Sequence, residues 1–389
     1  MQQTIYLDHN ATTPILPEAV EAMVRCWRDG LANPAAAHWP GQTARKVLED
    51  ARERVSALLG ARTQGRDPDR LVFTSGGTEA NNLALRGLAR LDSARFPGHL
   101  VISSIEHACV EATAEHFLDR AWAVDTLPVD SDGALQTRRL ADFIRDDTAV
   151  VSAMLVNHET GVVQPVGEAA RIAADRGVPF HTDASQAVGK MPISFADLGV
   201  TTLGFAAHKF GGPVGIGGLL VKSGTEPAPI LFGGNQQYGL RPGTESVALA
   251  VGMAAALEVC YTHMEALSAK VTALRDRFEG GLTRTFSEIV IHGAAAPRLP
   301  HTSNVGFKGC DAKILFTALD VAGIACSIGS ACESGAAEVS TTLRAMRVPD
   351  VLLRGSLRFS LSARQDLEEI DEAVRRIGKV VDRLRRAAS

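Results

Sequence analysis

The sequence lacks the features that mark several broad classes of protein. Its 389 residues carry a formal net charge of −4, so no cationic excess points to nucleic acid or an anionic membrane surface as a partner. The longest apolar run, residues 247–257, is too short to span a bilayer. No basic stretch followed by an apolar one opens the chain, so no signal peptide is visible. We therefore predict no nucleic-acid partner and no membrane association.

Paired cysteines and nucleotide-binding motifs are also missing. The six cysteines are scattered and include no C-x-x-C pair, which argues against a disulfide framework and against a zinc site. We expect a cytoplasmic location and no bound metal. The chain contains no G-x-G-x-x-G, and no lysine follows its Gly76 and Gly77 turn as in a nucleotide P-loop. ATP and dinucleotides are therefore disfavoured.

Strand-like and helix-like patterns alternate through much of the chain. Six short apolar runs predict strands, at residues 71–74, 100–103, 150–156, 178–182, 202–206 and 218–221. Buried strands separated by helices predict an α/β fold with a mostly parallel sheet. From residue 261 onward, long charged helical patterns flank shorter strands, which predicts a smaller α+β domain. We assign 13–260 to the large domain, and 1–12 with 261–389 to the small domain.

Polar side chains follow these predicted strands, at the edge where open parallel sheets bind ligands. Each of them has an ordinary structural role open to it, as a helix cap, a turn residue or a satisfied histidine. Together they place a helix N-terminus, an imidazole, amides, a carboxylate and a lysine on one rim. The residues are Gly77, Thr78, His107, Asn157, Asp183, Gln186, His208 and Lys209.

Pyridoxal 5′-phosphate (PLP) is the cofactor that needs this combination. Its aldehyde forms a Schiff base with a lysine, its phosphate suits a helix N-terminus, and its ring nitrogen needs a carboxylate to stay protonated. Lys209 ends the apolar run FAAHK, and burial lowers the pKa of a lysine, which makes its amine a usable nucleophile. No other lysine belongs to the predicted strand-end cluster. We therefore predict PLP, bound to Lys209.

A series of motifs runs from near the N-terminus almost to the C-terminus. In order, they are YLDHNATTP, FTSGGTEANNLA, SSIEHACV, VNHETGVVQP, HTDASQAVGK, HKFGGPVGIG, LRPGTESV, GSACESG and LRFSLS. The ordered set resembles the cysteine desulfurases of the NifS/IscS type, in the class V aminotransferase family of fold-type I PLP enzymes. This resemblance implies an aspartate aminotransferase-like fold, with a seven-stranded, mostly parallel sheet sandwiched by helices. It also implies a smaller α+β domain that carries the catalytic cysteine loop.

The resemblance implies how the cofactor is held. Lys209 would form the Schiff base, and Asp183 would pair with the ring nitrogen. Gln186 would contact the ring hydroxyl, and His107 would stack on the ring and shuttle protons. The phosphate would be bound by Gly77, Thr78 and His208.

The resemblance also implies the substrate site and the assembly. Asn157, beside the cofactor, and Arg358 would orient the substrate carboxylate, a task suited to the forked donors of arginine. Thr244 would reach the phosphate in a neighbouring subunit, which makes the active unit a homodimer. Cys332 matches the nucleophile that attacks the substrate sulfur.

The implied reaction converts L-cysteine to L-alanine and leaves a persulfide on Cys332. The sulfur then passes to an acceptor protein, in iron–sulfur cluster assembly or in thiolation. Three alternatives remain open from the sequence. A selenocysteine lyase or a PLP aminotransferase would share the cofactor site, and a protein without enzyme activity could simply carry persulfide.

Several positions depart from the family pattern. Ala206 replaces a serine that commonly contacts the phosphate, and Gln237 and Tyr238 replace the usual acidic and basic residues. Glu333, beside the nucleophile, adds negative charge and is expected to raise the pKa of the Cys332 thiol. These departures bear on rate and cofactor affinity rather than on the class of reaction. We expect Cys326 to be a small buried residue, the commoner role of a free cysteine.

Overall fold

The computed structural model describes residues 4–91, 97–329 and 340–388. The strands are β1 (Ile5–Tyr6), β2 (Arg70–Thr74), β3 (His99–Ser103), β4 (Ala123–Leu127), β5 (Thr148–Ser152), β6 (Phe180–Asp183), β7 (Thr202–Ala206), β8 (Gly217–Val221), β9 (Ile289–His292), β10 (Thr302–Phe307), β11 (Ile324–Ala325) and β12 (Ser356–Ser360). The helices are α1 (Pro17–Arg28), α2 (Trp39–Leu58), α3 (Gly77–Leu88), α4 (Ala108–Leu118), α5 (Leu140–Phe143), α6 (Val166–Ala174), α7 (Phe195–Leu198), α8 (Val247–Thr262), α9 (Met264–Thr285), α10 (Ala312–Val321), α11 (Thr341–Ala345), α12 (Asp350–Leu353) and α13 (Leu367–Ala388).

A seven-stranded sheet forms the centre of the larger part of the chain, in the order β2-β8-β7-β6-β5-β3-β4. The strands from β3 to β7 pair in parallel, whereas β8 runs antiparallel to both of its neighbours, β2 and β7. Helices flank the sheet, with α3 packed on β7 and β8 and α6 packed on β6. The predicted fold, a mostly parallel seven-stranded sheet between helices, is confirmed.

The apolar runs predict every strand of this sheet except β4. This edge strand is buried only at its last residue, so its sequence contains no apolar run. The run at 150–156 extends past its strand, because β5 ends at Ser152 while the four residues that follow remain buried. Two of those four residues, Met154 and Val156, line the cavity described below.

The longest apolar run of the sequence lies in α8, which packs against α1 and α2. A helix that is apolar on all sides is typical of a buried core position, and Ala250, Met253 and Leu257 are inaccessible to solvent. Among the described residues, no single helix is long and apolar enough to cross a membrane. The bent pair Val247–Thr262 and Met264–Thr285 meets that test by length and composition only.

Two smaller sheets and a second hydrophobic core form the rest of the described chain. One sheet is antiparallel, in the order β12-β10-β9, and in the other β1 pairs in parallel with β11. Ile5 and Leu7 belong to this second core, so the N-terminal segment packs with the C-terminal part of the chain. Leu343 and Met346 instead pack on the first core. The assignment of 13–260 to one domain and the remainder to another stays a prediction.

Three phenylalanines at the centre of the second core provide a test of its packing. The Phe359 ring lies 5.2 Å from that of Phe278 and 6.5 Å from that of Phe307, between ring centroids, and all three are inaccessible to solvent. Phe359→Ala should destabilise the protein by about 3–5 kcal/mol, because it leaves a cavity. The measurement is urea unfolding followed by circular dichroism. Val321→Ala, at a residue 81% exposed, is the control and should cost less than about 0.5 kcal/mol.

Candidate active site

Seven of the predicted site residues line one cavity of about 280 Å³. The cavity lies beyond the carboxyl ends of β6 and β7, which end at Asp183 and Ala206. The sheet therefore brings together side chains that are far apart in the sequence. They are Gly77, Thr78, His107, Asp183, Gln186, His208 and Lys209.

Both carboxylate oxygens of Asp183 are hydrogen-bonded at the end of β6. Oδ1 accepts from the backbone N–H of Ser185 at 2.8 Å, and Oδ2 accepts from Nδ2 of Asn81 at 2.7 Å. The sequence analysis missed Asn81, although it lies one turn after Thr78 in the FTSGGTEANNLA motif. Because an ionised carboxylate only accepts hydrogen bonds, Asn81 must turn its amide nitrogen toward it.

A buried chain of side chains fixes the orientation of the Asn81 amide. Its Oδ1 lies 3.1 Å from Nε2 of His181, and Nδ1 of His181 lies 2.9 Å from Oγ1 of Thr202. Burial lowers the pKa of His181 to about 4, so its ring is neutral and carries one proton. That proton must be on Nε2, which donates to Asn81, while Nδ1 accepts from Thr202. Gly204 leaves room for this contact, since a Cβ there would lie 2.5 Å from Oδ1 of Asn81.

The N-terminus of α3 faces the same cavity. Gly77 and Thr78 are its first residues, and the first N–H groups of a helix have no partner within the helix. A Cβ at Gly77 would lie 2.9 Å from Oγ of Ser185 and 3.5 Å from Cβ of Ala206. The cavity wall therefore leaves little room for any residue larger than glycine at position 77. Ser185 and Ala206 both line the cavity beside Gly77.

Lys209 lies in a short 3₁₀ helix, Ala207–Phe210, directly after β7. Its Nζ donates to the backbone carbonyls of Asn10 at 2.6 Å and of Ala11 at 3.0 Å. The turn ends at Gly211, whose φ of +84° is in the left-handed region that glycine adopts readily. The glycine after HKF thus lets the chain leave the cavity immediately after the lysine.

Two predicted histidines line the cavity with Lys209. His107 caps α4, because its Nδ1 accepts a backbone hydrogen bond from the first turn at 3.2 Å. Its ring meets that of His158 edge-on, with 5.5 Å between centroids. Nδ1 of His208 lies 3.2 Å from Oγ1 of Thr12. Burial and the nearby charge of Lys209 lower the pKa of His208 to about 4, so this ring is neutral at pH 7.

Asn157 lies behind the cavity and does not line it. The residue is inaccessible to solvent, and its Oδ1 accepts from the backbone N–H groups of Glu159 at 3.0 Å and Thr160 at 2.9 Å. Its Nδ2 lies 3.3 Å from Oγ1 of Thr342. The structure therefore gives this amide a role in holding the NHETG segment, and its predicted contact with cofactor and substrate stays a prediction.

Arg358 also does not line the cavity, but it contacts His158, a residue that does. Its guanidinium donates to Oδ1 of Asp8 at 2.8 Å and to the backbone carbonyl of His158 at 3.2 Å, and the His158 ring lines the cavity. Nε of Arg358 is buried and has no hydrogen-bond partner among the residues that the structure describes. The positive charge of Arg358 is thus close to the cavity, and its Nε–H remains available as a donor.

Thr244 is exposed and lies in a separate cavity that it shares with Gln237. Within one chain it therefore does not meet the other predicted cofactor residues.

The fold accommodates the two departures from the family pattern at positions 237 and 238. Gln237 accepts from Arg52 at 2.7 Å and donates to Glu245 at 2.7 Å, a pairing that a carboxylate at 237 could not make. The ring of Tyr238 lies 5.4 Å from the guanidinium carbon of Arg52.

Cys332 and Glu333 lie outside the described residues. Cys326 is 6% exposed and belongs to the second hydrophobic core, as expected for a structural cysteine. Cys109, which the sequence analysis did not consider, lines the cavity. Burial and the charge of Asp183 raise the pKa of its thiol to about 12, so it remains protonated at neutral pH.

A second lysine, Lys190, lies near Lys209, although it does not line the cavity and does not follow a strand. Nζ of Lys190 donates to Oε1 of Gln186 at 2.8 Å and lies 3.2 Å from Nε2 of His301. Burial and the charge of Lys209 lower the pKa of Lys190 to about 7. The signal was present in HTDASQAVGK, where position 190 follows position 186 by one helical turn. Lys190 was overlooked because it does not itself follow a strand.

Known proteins resemble this chain over nearly its full length. Residues 5–373 match the family described as aminotransferase class-V. The chain belongs to this family. An IscS-like cysteine desulfurase of Mycobacterium tuberculosis is 39% identical, with 98% of both chains covered.

Solved structures agree with this assignment. A NifS-like protein has a TM-score of 0.89 at 31% identity, covering 98% of this chain and 100% of that one. A structure described as SspA in complex with cysteine has a TM-score of 0.81 at 32% identity, covering 92% of this chain and 99% of that one. The resemblance to NifS/IscS-type enzymes is thereby confirmed.

PLP is the cofactor of this class V family member, and the cavity fits it. Asp183 offers a carboxylate whose two oxygens are both held by hydrogen bonds, and Lys209 provides an amine that reaches the cavity from the end of β7. The wall at Gly77 is open only because the residue has no Cβ, and it presents a helix N-terminus suited to phosphate. Lysine, carboxylate and phosphate site therefore face one another across a single space.

Glu106, which precedes His107 in the sequence, provides a test of the electrostatics around the cavity. Its side chain is 1% exposed, and burial raises the pKa of its carboxyl to about 8. One oxygen accepts from Ser103 Oγ at 2.8 Å and from the N–H of Met154 at 2.9 Å. The other oxygen is buried and finds no partner within the described part of the chain. The carboxyl is therefore neutral at pH 7.

Glu106→Gln should make the stability of the protein less dependent on pH. In the wild type, the folded state keeps a proton that the unfolded chain loses above its ordinary pKa of about 4.5, so stability falls as pH rises toward 8. The neutral glutamine lacks this effect, so the variant should gain stability relative to wild type between pH 5 and pH 8. Thermal unfolding at both pH values measures it. A difference that stays constant with pH would contradict the neutral carboxyl.

Proposed function

We propose that this chain is a PLP-dependent cysteine desulfurase, which converts L-cysteine to L-alanine and holds the released sulfur as a persulfide on Cys332. The observation that carries the proposal is the meeting of Lys209, Asp183 and His107 in one cavity. The relatives at 36–40% identity named cysteine desulfurase support the choice of reaction over transamination or selenocysteine cleavage. A neighbouring structure described as a complex with cysteine supports the choice of substrate.

The residues of the cavity have separable tasks. When bound, PLP withdraws electrons from the substrate amino acid and so makes its Cα proton removable. Asp183 holds a proton on the ring nitrogen, and its hydrogen bond from Asn81 keeps the carboxylate directed at it. Lys209 Nζ accepts the substrate proton and returns one, and the ring of His107 stacks on the cofactor. Arg358, whose guanidinium donates to the backbone carbonyl of the cavity residue His158, binds the substrate carboxylate.

Cys332 supplies the nucleophile. Its thiolate attacks the substrate sulfur, the carbon–sulfur bond breaks, and the substrate carbon takes up a proton to give alanine. The sulfur stays on Cys332 as a persulfide, ready for an acceptor protein in iron–sulfur cluster assembly or thiolation. Neither Cys109 nor Cys326 is suited to this task, since the first has a strongly raised pKa and the second is buried in a core.

The active unit is proposed to be a homodimer. Val214 is 75% exposed and Phe232 is 83% exposed, so both offer apolar surface that a partner could cover. Val214 lines a surface cavity with Leu249, and Leu249 also lines the cavity that contains Thr244. A second copy seated on this continuous face would cover the apolar side chains and bring Thr244 to the partner's phosphate site.

The proposed location is the cytoplasm. The five cysteines within the described residues are all free, which fits a reducing compartment.

Lys209→Ala should abolish both the visible absorption band of the bound cofactor and the production of alanine, because the variant lacks the amine that binds the aldehyde. Lys190, which donates to the predicted cofactor residue Gln186, is the competing amine. Borohydride reduction of the wild-type holoenzyme followed by peptide mass spectrometry decides between them. The cofactor should be found on the peptide that contains Lys209, and recovery on the Lys190 peptide alone would contradict the assignment.

Cys332→Ser should retain the cofactor and its absorption change on addition of L-cysteine, because neither depends on this thiol. Serine ionises too weakly to attack sulfur, so persulfide and alanine formation should fall close to background. Cys326→Ser is the matched control and should lose little activity. The assay measures alanine and sulfide with a reductant, with mass spectrometry of the persulfide peptide. Normal turnover by the Cys332 variant would favour an aminotransferase or a carrier over a desulfurase.

A further inference from the structure

Lys190 and Gln186 form a hydrogen bond at the border of the candidate site. Gln186 is buried and lines the cavity, whereas Lys190 does not line it. Nζ of Lys190 donates to Oε1 of Gln186 at 2.8 Å. The two residues are four positions apart, in the turns that follow β6. Lys190 is therefore connected to the cavity through the side-chain amide of Gln186.

The orientation of the Gln186 amide can be assigned from its two partners. The backbone carbonyl of Asn10 only accepts hydrogen bonds, so the atom of Gln186 that lies 3.1 Å from it must be the nitrogen, Nε2. The oxygen, Oε1, is then on the side of Lys190. Burial and the charge of Lys209 lower the pKa of Lys190 to about 7, but its Nζ carries N–H hydrogens in both protonation states. Lys190 therefore serves as the donor to Oε1 whether or not it is charged.

The position of Lys190 is itself fixed by a second acceptor. Nε2 of His301 lies 3.2 Å from Nζ of Lys190, and His301 is buried directly before β10. Burial holds the pKa of His301 well below its ordinary value, so the ring is neutral and its Nε2 accepts from the amine. Two acceptors from different parts of the chain thus hold the lysine in place beside Gln186.

Gln186 and Lys209 share one acceptor at the cavity. The backbone carbonyl of Asn10 accepts from Nε2 of Gln186 at 3.1 Å and from Nζ of Lys209 at 2.6 Å. The amide nitrogen is therefore close to the amine that is expected to bind the PLP aldehyde. In PLP the ring hydroxyl is on the carbon next to the one that carries the aldehyde. The second N–H of the Gln186 amide, which Asn10 does not use, is thus suited to donate to that oxygen.

We propose that Lys190 is a positioning residue for the cofactor, because it holds the amide of Gln186 with its nitrogen, rather than its oxygen, toward the ring hydroxyl. The inference rests on the proposed function, in which Lys209 binds PLP and Gln186 contacts its ring. Without Lys190, Oε1 of Gln186 would lose its donor in a buried position, which is unfavourable, and the amide would turn to find another. The ring oxygen would then face the amide oxygen for part of the time.

The pH dependence of the visible absorption band of the holoenzyme reports on this contact. The band changes when the nitrogen that joins Lys209 to the cofactor loses its proton, which had shared the negative charge of the ring oxygen. A donor on that oxygen stabilises the deprotonated form and so lowers the pH midpoint of the change. Loss of the donor should therefore raise the midpoint.

The test compares Lys190→Met, Gln186→Ala and the double variant as holoenzymes, by the pH midpoint of this band. Methionine is unbranched like lysine but donates no hydrogen bond. Each single variant should raise the midpoint by roughly one unit, a 10-fold change in the proton equilibrium. The double variant should raise it no further than Gln186→Ala alone, because Lys190 acts through Gln186. Lys190→Arg keeps N–H donors at this position and should retain the wild-type midpoint.

Lys222→Met is the matched control. Lys222 is exposed and follows β8 at the edge of the sheet opposite the cavity, so its variant should match wild type. Lys190 is also close to the charges of Lys209 and Arg358 and to the thiol of Cys260, so a direct effect of its charge is the competing explanation.

Shifts that add in the double variant would indicate that direct charge effect and would overturn the inference, while the proposed function would stand. An unchanged midpoint in Lys190→Met, or an equal shift in Lys190→Arg, would overturn it as well. A wild-type holoenzyme without a visible band from cofactor on Lys209 would instead contradict the proposed function, and this inference with it.

Discussion

The hydrogen bond between Asn81 and Asp183 is the contact on which the candidate site depends. A carboxylate that is only 7% exposed is costly to bury unless its oxygens have partners, and here both oxygens have one, Asn81 and the backbone N–H of Ser185. Asn81 reaches across from α3, and its amide is oriented by His181 in β6 and, behind it, Thr202 in β7. Gly204 leaves room for the Asn81 amide, and the neutral ring of His181 donates to it.

Asn10 connects the two hydrophobic cores at the cavity. Its backbone carbonyl accepts from Lys209 Nζ and from Nε2 of Gln186, on the side of the seven-stranded sheet. Its side-chain amide donates to Oγ1 of Thr302, and its backbone N–H donates to Oγ of Ser360, both in the antiparallel sheet. The cavity is therefore assembled between two parts of the chain, and Lys209 is held by the segment that joins them.

Much of the site was predictable because β strands that are parallel and neighbouring end at the same edge of a sheet. That rule correctly grouped Asp183, His107 and Lys209 from their positions after apolar runs. It failed for residues that reach the cavity from within helices or turns. Asn81 and Lys190 lie one turn beyond recognised site residues, and nothing in a strand pattern marks them. The edge strand β4 was missed for a related reason, since a half-exposed strand has no apolar run.

By itself, the sequence determined the α/β class, the cofactor and the rim of polar residues, because alternating buried strands and helices restrict where ligand-binding side chains lie. The ordered motifs determined the family. Only the tertiary structure decided which polar atoms already have partners. It placed Asn157 and Arg358 behind the cavity and set Lys190 between Gln186 and His301. Hydrogen-bond partners so distant along the chain are set by three-dimensional packing, which no local pattern records.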